Sequence, residues 1–480
     1  MIGNARLDRG APSCNGAEQV GVGWLSLLSE YEQREIAQYP EVHFTGAGAD
    51  KVQADGPQGF ADSRGDYKVR IGDHFAYRFE AVRILGRGAF GQVVHAHDHK
   101  EGSDVALKIG RSKKRAREQA AQEIEILQLI ISNDPHDKSS CVRLLSSFSF
   151  RGHACLCLEL LSSSLFDLLK GNGFRGISLT LIRRFAIQLV NAMLFLKKIG
   201  VIHFDIKPEN IMLREPGKSA IKLVDFGNSC LVADAARLVA PYVQSRYYRS
   251  PEVLLGLELS HAVDCWSCAC VLAELFMGSP LFKGADARDQ LARICGILGA
   301  PPPFMLRAAA QNKGLSAEGS ATSSELGICV SSASVADSLG DAVQCTDADF
   351  LSFLGGCLRW EPTQRFSPEE CLQHDWLTAA SKVPAADVTP VQAHHASLTK
   401  PRAWPQSEDS RNASRHDLAH CCPTEGPDWF SGSVSSTGWR QPLRGYGTKR
   451  PALPTILPPI SMQTSLLSLA GQDGTKGQLI

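Results

Sequence analysis

Two short segments of the chain combine acidic, basic and amide side chains at spacings that allow shared chemistry. VIHFDIKPENI contains Asp205, Lys207 and Asn210, and Asp225 follows about 20 residues after Asp205 in IKLVDFGNSC. Transfer of a γ-phosphoryl group needs an oriented hydroxyl, divalent cations that bridge the phosphates, and positive charge near the phosphate oxygens. Asp205 would orient the hydroxyl or accept its proton, and Lys207 would lie toward the γ-phosphate. Asn210 and Asp225 offer the oxygen ligands that Mg2+ prefers.

The tripeptides HFD and DFG could each occur by chance in a surface loop. Alone, neither would indicate a phosphoryl-transfer site. Their order along the chain and their separation favour that interpretation over chance.

A glycine-rich segment upstream predicts a turn that can contact phosphates. ILGRGAFGQVV sets Gly86, Gly88 and Gly91 between apolar residues, as expected for a strand, a tight turn and a returning strand. Glycine allows the backbone to approach phosphate oxygens closely. The same spacing occurs in dinucleotide-binding folds, where it opens a helix. Here Val93 and Val94 continue as strand, which favours the hairpin.

A lysine and a glutamate follow at positions that suit a nucleotide. Lys108 lies in the apolar, β-branched strand DVALKIG and can reach the α- and β-phosphates, although this lysine alone would be interpreted as exposed. The helical segment EQAAQEIEILQLI places Glu123 on the face opposite Glu118 and Glu125, which point to solvent. We therefore predict an ion pair between Lys108 and Glu123.

The surrounding segments indicate an apolar scaffold. LTLIRRFAIQLVNAMLFLKKIG carries apolar residues at helical spacing, and we interpret it as the helix that supports the Asp205 segment. HACLCLELLSSSLFDLL alternates apolar residues and then becomes polar, as a strand that leads into a hinge does. HAVDCWSCACVLAELFMG places Asp264 in a further apolar helix.

Taken together, these segments resemble the eukaryotic protein kinases over residues 78–377. The resemblance implies an α+β, bilobal fold with a β-rich small lobe at 78–158 and a helical large lobe at 162–377, and it implies ATP and Mg2+ as cofactors. It assigns catalytic roles to Asp205, Lys207, Lys108 and Glu123, and metal ligation to Asn210 and Asp225.

The implied ATP-binding residues are Leu85, Gly86, Gly88, Gly91, Val93, Ala106, Lys108, Leu158 as gatekeeper, and Glu159, Leu160 and Leu161 through their backbone. Structural roles are implied for His203, for Asp264 as acceptor of loop amides, and for an ion pair of Glu252 with Arg365.

The segment APYVQSRYYRSPE narrows the resemblance to the dual-specificity tyrosine-phosphorylation-regulated kinases (DYRK). That family autophosphorylates the second tyrosine of a YxY motif, which implies autophosphorylation of Tyr242, although Ala240 occupies the first position here. Arg246 and Arg249 are near enough in sequence to bind the phosphate, whereas packing is the alternative role of Tyr242. Phe204 stands where many kinases have a phosphate-binding arginine, which argues against control by an external kinase through that residue.

The resemblance also implies a substrate preference. In this broader kinase group the arginine equivalent to Arg246 disfavours most residues after the phosphoacceptor and leaves proline, which lacks an amide hydrogen. We therefore expect proline-directed phosphorylation of serine or threonine in protein substrates.

An extension at 25–77 precedes the kinase-like region. Its segment LSEYEQREIAQYPEVHFTG resembles the DYRK homology box, most closely that of class II members. The pattern predicts a short amphipathic helix at 32–36 and a strand through Tyr39, Val42 and Phe44 that packs against the small lobe. A solvated linker is the alternative.

Composition agrees with a globular protein inside the cell. The 480 residues include 50 basic and 50 acidic side chains, so charge gives no reason to expect nucleic acid or a membrane as a partner. No apolar run reaches the about 18 residues that a membrane span requires. The 15 cysteines at irregular spacing fit reduced thiols. We expect a cytoplasmic protein that could also be nuclear, since the basic run RSKKRAR is either a localisation patch or a solvated loop.

Three segments have the composition of disordered chain. They are residues 1–24, the Ser-, Ala- and Gly-rich insert at about 313–347, and the Pro/Ser-rich tail at 378–480. The insert lies where this kinase group carries variable sequence. Insert and tail could dock partners, the tail through PALPTILPPI.

Two functions remain open from the sequence. The first is an ATP-dependent dual-specificity protein kinase that autophosphorylates Tyr242 and phosphorylates serine or threonine of protein substrates. The second is a catalytically weak, kinase-like scaffold that binds partners through its insert and tail. The presence of Lys108, Asp205 and Asp225 favours the first, whereas Phe204 is a departure that keeps the second open.

Overall fold

The chain folds into a two-lobed body. In addition to the backbone of Cys14–Asn15, the computed structural model describes residues 28–88, 90–235, 243–312 and 339–378. These residues belong to one compact unit. Its small lobe is built on a six-stranded antiparallel sheet, and its large lobe is built mainly on helices. The predicted bilobal α+β fold is confirmed.

The described residues of the small lobe form eight strands and two helices. The strands are β1 Cys14–Asn15, β2 Glu41–Val42, β3 His74–Phe75, β4 Phe79–Gly88, β5 Gly91–Asp98, β6 Ser103–Gly110, β7 Leu144–Phe150 and β8 His153–Glu159. The helices are α1 Glu30–Glu35 and α2 Lys114–Asn133, with 3-10 turns at Ile36–Gln38 and Pro57–Phe60.

The six-stranded sheet has the order β3-β4-β5-β6-β8-β7. Side chains alternate along β5, so that Val94 and Ala96 are buried in the lobe's core and the intervening residues are less buried. The register places Lys108 of β6 opposite Val93 on one side and Leu156 on the other. Lys108 therefore lies near the centre of the sheet.

A buried arginine attaches the extension to the small lobe. Helix α1 begins with a capping box, in which Ser29 and the third helical residue, Glu32, bond each other's backbone N–H. Arg151, in the turn between β7 and β8, donates to Glu32 at 3.1 Å and to Glu35 at 2.7 Å. All three side chains are buried, and Lys51 of the extension also donates to Glu32 at 3.1 Å, so both carboxylates of α1 have a cationic partner.

The strand expected through Tyr39, Val42 and Phe44 is shorter than predicted. β2 has two residues and pairs with β1, not with the six-stranded sheet. Tyr39 packs on Tyr77 with ring centroids 4.8 Å apart, and Phe44 stacks on His99 at 4.2 Å. Strand β1 lies inside the segment 1–24, which we expected to be disordered. Its backbone pairs with that of β2.

The large lobe contains eleven described helices and four short strands. The helices are α3 Leu165–Gly171, α4 Leu179–Lys198, α5 Val232–Ala235, α6 Pro251–Leu255, α7 Ala262–Met277, α8 Ala287–Leu298, α9 Pro303–Asn312, α10 Leu339–Val343, α11 Ala348–Cys357, α12 Pro368–Gln373 and α13 Asp375–Thr378. The strands are β9 Val201–Ile202, β10 Ile211–Leu213, β11 Ile221–Leu223 and β12 Cys230–Leu231, paired β10 with β11 and β9 with β12. Short 3-10 turns cover Pro208–Asn210, Phe226–Asn228, Arg246–Tyr248 and Pro362–Gln364.

Two helices form the centre of this lobe. Helix α7 is buried along nearly its whole length, which fits its apolar sequence. Helix α4 is the one described helix long and apolar enough to cross a membrane, but its apolar face, from Ile182 to Leu196, packs in the core of the lobe. Helix α4 packs on β9, and Asp264 of helix α7 accepts hydrogen bonds from the loop after β9, which contains Asp205.

Candidate active site

The loop between β9 and β10 is fixed by one buried carboxylate of helix α7. Asp264 accepts the backbone N–H of His203 at 2.8 Å and that of Phe204 at 3.0 Å. Burial raises the pKa of the Asp264 carboxyl to about 7, against these two donors, which lower it. The Nδ1 atom of His203 accepts the backbone N–H of Asp205 at 3.1 Å. The loop therefore presents Asp205 in one defined orientation.

The Asp205 carboxylate is held by a lysine and a hydroxyl. Lys207 Nζ donates to Oδ2 at 2.7 Å, and Ser245 Oγ donates to Oδ1 at 2.7 Å. Although burial opposes it, the Asp205 carboxylate raises the pKa of Lys207 and keeps the ammonium charged. Asn228 Nδ2 lies 3.4 Å from Oδ2. This carboxylate can accept a proton from a substrate hydroxyl next to a fixed positive charge.

A second ionic group lies where the two lobes meet. Lys108 Nζ donates to Glu123 Oε1 at 2.6 Å and to Asp225 Oδ1 at 2.8 Å. The ion pair predicted between Lys108 and Glu123 is thus formed, and Glu123 is buried on helix α2 as its spacing predicted. Burial would raise the pKa of Asp225, but the Lys108 ammonium lowers it to about 2. Asp225 is therefore ionised at neutral pH.

Asn210 and Asp225 supply oxygen atoms that suit a divalent cation. Asn210 Nδ2 donates to the backbone carbonyl of Asp205 at 2.8 Å, which leaves Oδ1 as the atom that this amide can offer to a metal. Asp225 has a left-handed backbone, with φ 64° and ψ 75°, and its carboxylate is about one-third exposed. One carboxylate and one amide oxygen are a donor set that Mg2+ accepts.

The glycine-rich segment forms the predicted hairpin. Gly86 pairs with Val93 and Gly88 with Gly91, so the segment returns as strand β5 instead of opening a helix. Gly91 has φ 147°, and a Cβ there would lie 2.0 Å from the carbonyl oxygen of Ile109, so only glycine fits. Leu85 is 39% exposed at the start of this turn, whereas Ala106 on β6 is buried beneath it.

The hinge after β8 offers fewer backbone groups than the sequence suggested. Leu158 packs against the large-lobe core, and β8 ends at Glu159, whose N–H already donates to the carbonyl of Arg143 at 3.1 Å. Glu159 can therefore offer its carbonyl, but not its backbone N–H, to the adenine base of a nucleotide. Leu160 and Leu161 follow it in the hinge. The Glu159 side chain accepts a hydrogen bond at 2.5 Å from Lys222, a fully buried lysine of β11.

The two arginines predicted to bind a phosphate contact backbone carbonyls. Arg246 Nη1 donates to the carbonyl of Ala285, while Arg249 donates to the carbonyls of Val243 at 3.0 Å and Gln244 at 2.8 Å. Tyr242 lies outside the described residues. Of these two arginines, Arg249 is the one that reaches the Gln244 carbonyl, whereas Arg246 contacts the carbonyl of Ala285, just before helix α8.

Two further predicted features are structural in character. Glu252 and Arg365 form a bidentate ion pair with both N–O distances at 2.6 Å, and both side chains are buried. Phe204, with φ 63°, is fully buried. It packs in a group that we call the Phe204 cluster, made of Ile202, Phe204, Cys230, Ala235, Val253, Leu259 and Val263.

Several residues of this site carried no sequence signal of their own. Ser245 contacts Asp205, and Gln119 of helix α2 donates to the carbonyl of Gly227 at 2.6 Å. Lys222 was not singled out because an isolated lysine in a strand is ordinarily solvent-exposed. Ser245 was detectable only indirectly, since it precedes Arg246 in a segment already assigned to substrate contacts.

Comparison with known proteins agrees with this geometry. Residues 79–377 match the family described as "Protein kinase domain". A relative named "Probable serine/threonine-protein kinase dyrk2", from Dictyostelium discoideum, is 43% identical over 76% of this chain and 40% of its own length. "DYRK-family kinase pom1", from Schizosaccharomyces pombe, is 41% identical over 76% of this chain and 34% of its own length. "Dual specificity tyrosine-phosphorylation-regulated kinase 3", from Macaca fascicularis, is 39% identical over 76% of this chain and 67% of its own length. The chain thus spans less than half of the first two relatives.

Proposed function

The chain belongs to the DYRK family of protein kinases, and from this we propose that it is an ATP-dependent, dual-specificity protein kinase. It phosphorylates its own Tyr242 and then serine or threonine residues of protein substrates. The observation that carries the proposal is the joint placement of Asp205, Lys108 and Asp225, each held by the contacts that phosphoryl transfer requires. A scaffold without catalysis would not need to keep these charges fixed in a partly buried site.

Each residue has a distinct task in this reaction. Asp205 orients the acceptor hydroxyl and takes up its proton, while Lys207 and Ser245 hold the carboxylate in place. Lys108, held by Glu123, binds the α- and β-phosphates of ATP. Asn210 and Asp225 would hold Mg2+, which would offset the negative charge of the phosphates.

Autophosphorylation of Tyr242 is supported by Phe204, which occupies the position where many kinases have a phosphate-binding arginine. This side chain is fully buried among apolar residues and offers no cation, so a phosphate placed by an external kinase has no partner there. Arg246 and Arg249 remain the nearest guanidinium groups to Tyr242 in sequence. A phosphate on Tyr242 gains charge-assisted hydrogen bonds if it replaces the contact of Arg246 with the Ala285 carbonyl and that of Arg249 with the Val243 carbonyl, which leaves the Arg249 bond to Gln244 in place.

A preference for proline after the phosphoacceptor is supported by the backbone at Gln244. Gln244 has φ 65°, and its carbonyl oxygen accepts a hydrogen bond from Arg249 at 2.8 Å. That carbonyl is therefore not available to the backbone N–H of the substrate residue that follows the acceptor. A proline at that position has no N–H to leave unsatisfied.

The proposal is tested with purified protein incubated with ATP and MgCl2. Mass spectrometry of the activation segment, residues 227–252, should find phosphate on Tyr242 in the wild type and none in Asp205→Asn. A peptide with serine followed by proline should be phosphorylated by the wild type only. Unmodified Tyr242 together with no transfer to this peptide would contradict the proposal and favour the scaffold.

We also propose that the protein acts in the cytoplasm, with a nuclear fraction, and that its insert and tail dock partners. The eleven described cysteines are free thiols, which suits a reducing compartment. The basic run RSKKRAR leads into helix α2, and Lys113, Lys114 and Arg115 are exposed there. A fluorescent fusion of the full chain tests the location, and a loss of nuclear signal in Lys113→Ala/Lys114→Ala/Arg115→Ala tests the basic run.

A further inference from the structure

We propose that a turn of the extension, residues 62–66, positions the glycine-rich turn for the nucleotide by holding Arg111. The inference rests on the proposed kinase function, because it assumes that the glycine-rich turn covers nucleotide phosphates. It assigns a positioning role to Asp66 and Arg111, neither of which belongs to the motifs that identify the site.

Arg111 holds the glycine-rich turn from both of its sides. It directly follows β6, and its backbone N–H donates to the carbonyl of Phe90 at 3.2 Å. Its Nη2 atom donates to the carbonyl of Gly88, also at 3.2 Å. These two carbonyls flank the tip of the turn. Arg111 thereby contacts both arms of the glycine hairpin through their backbone carbonyls.

The extension in turn fixes the guanidinium of Arg111. Asp66 Oδ1 accepts Arg111 Nε at 2.8 Å, and both side chains are about three-quarters buried. The turn that carries Asp66 is itself ordered, because Asp62 Oδ1 accepts the N–H groups of Arg64 at 2.8 Å and Asp66 at 2.9 Å.

This turn packs closely on the residue that follows Arg111. The backbone N–H of Ser112 donates to the carbonyl of Gly65 at 2.9 Å. Gly65 has φ 87°, and a Cβ there would lie 3.2 Å from the Ser112 hydroxyl. A residue other than glycine would be strained by this φ and would crowd the contact. Gly65 therefore allows the close backbone contact that places Asp66 next to Arg111.

A second contact joins the same part of the extension to the returning strand. Gln92, which directly follows Gly91, is buried, and its side-chain amide donates to the backbone carbonyl of Tyr67. The Tyr67 hydroxyl accepts Arg151 Nη1 at 3.0 Å, and Arg151 binds Glu35 of helix α1. A chain of direct contacts therefore runs from α1 to both strands of the glycine hairpin.

The physical consequence is a lower ordering cost when nucleotide binds. Glycine backbones populate many conformations, and a glycine-rich turn loses this freedom when its N–H groups meet phosphates. Contacts that hold the turn before binding remove part of that cost. Loss of the Asp66 contact should therefore weaken nucleotide binding, with a rise of about three- to tenfold in Kd for a partly exposed charged contact.

The test compares Asp66→Asn and Arg111→Lys with the wild type. Lysine keeps the positive charge and the backbone N–H but cannot contact Asp66 and Gly88 together. The control is Asp50→Asn, an exposed carboxylate of the same extension whose contact with Arg70 is 3.7 Å long. Binding of ADP in MgCl2 by calorimetry, KM for ATP, kcat, KM for a serine-proline peptide and the melting temperature are measured for each.

We expect Kd for ADP and KM for ATP to rise about three- to tenfold in both variants, with kcat, peptide KM and melting temperature close to wild type. Asp66→Glu should recover part of the loss, and Asp50→Asn should behave as wild type. Unchanged ADP binding, or a fall in kcat and melting temperature without a change in Kd, overturns the inference. ADP binding needs no turnover, so a wild type that binds ADP but transfers no phosphate contradicts the proposed function alone. A wild type that binds no ADP overturns both.

Discussion

Arg249 donates a hydrogen bond to the backbone carbonyl of Gln244 at 2.8 Å, and Gln244 adopts a left-handed backbone with φ 65°. The Gln244 side chain supports this conformation from the other side. Its amide donates to Ser267 Oγ at 2.9 Å, and its Oε1 atom accepts the N–H of Ser250 at 2.9 Å and the Ser250 hydroxyl at 3.2 Å. The Ser250 hydroxyl therefore has a buried partner in the same segment.

Replacement of Arg249 by alanine should relax the preference for proline after the phosphoacceptor. Without the guanidinium, the Gln244 carbonyl can accept the N–H of any other residue at that position, a gain of about 1 kcal/mol. The ratio of kcat/KM for a serine-proline peptide over a serine-alanine peptide should fall about five- to tenfold. Arg246→Ala is the matched control, because Arg246 contacts Ala285 instead. The opposite result, in which Arg246→Ala lowers the ratio and Arg249→Ala does not, would show that Arg246 is the arginine that selects proline.

Replacement of Lys222 by methionine should destabilise the fold by about 2–4 kcal/mol. Lys222 is fully buried and donates to Asp137 and Glu159 at 2.5 Å each, so its loss leaves two partly buried carboxylates without their main partner. Urea unfolding at pH 7.5 gives the free energy directly. Lys218→Met removes a lysine that is 64% exposed and should change it by less than about 0.5 kcal/mol. Equal effects of the two substitutions would show that the buried pairs contribute little.

The sequence predicted the parts of the site whose geometry follows from local spacing. Lys108 meets Glu123 because strand alternation and helix periodicity fix both directions, and Asp225 falls beside them on the turn that its motif specifies. Contacts that depend on the path of distant segments were not predictable in this way. Lys222 and Glu159 lie 63 positions apart, and nothing in their types indicates that both are buried at the hinge.

Which of Arg246 and Arg249 contacts the Gln244 carbonyl could not be predicted, for a similar reason. Two arginines lie three positions apart in one segment, and either could reach a neighbouring carbonyl. The turn at Gln244 decides between them, since a left-handed residue directs its carbonyl toward Arg249. Because position 244 is a glutamine and not a glycine, the sequence does not indicate the positive φ found there. The partner of strand β2 was not predicted either, because Cys14–Asn15 has no strand pattern of its own.

Replacement of Phe204 by alanine should cost about 3–5 kcal/mol of stability, the usual range for a buried phenylalanine. Phe204 is fully buried in the Phe204 cluster, which packs the Asp205 loop against Cys230 and Val253, and the partly buried Val243 packs on the same cluster. Phe204→Arg should be at least as harmful, because the guanidinium would meet only apolar side chains. Urea unfolding measures both, with the 47% exposed Phe174→Ala as control. A stable Phe204→Arg would indicate that a buried anion partner exists after all.

The contribution of Glu274 to stability should fall as pH rises from about 5 to about 8. Burial raises the pKa of the Glu274 carboxyl to about 7, while the Tyr248 hydroxyl, which donates to it at 2.7 Å, opposes the rise and the charge of Glu209 adds to it. The folded state therefore binds this proton more tightly than the unfolded state does. Its stabilising contribution is complete below the unfolded pKa and is lost as pH rises through about 7.

Glu274→Gln isolates this contribution, because the amide keeps the Tyr248 hydrogen bond and cannot ionise. Relative to wild type, the variant should gain stability as pH rises, by up to about 3 kcal/mol between pH 5 and pH 8. Melting temperatures at each pH unit measure the difference, and Glu258→Gln, at an exposed site of the same lobe, should run parallel to wild type. Parallel curves for Glu274→Gln as well would mean that the carboxylate is ionised in the folded protein at pH 5, since only an unshifted group leaves the pH dependence unchanged.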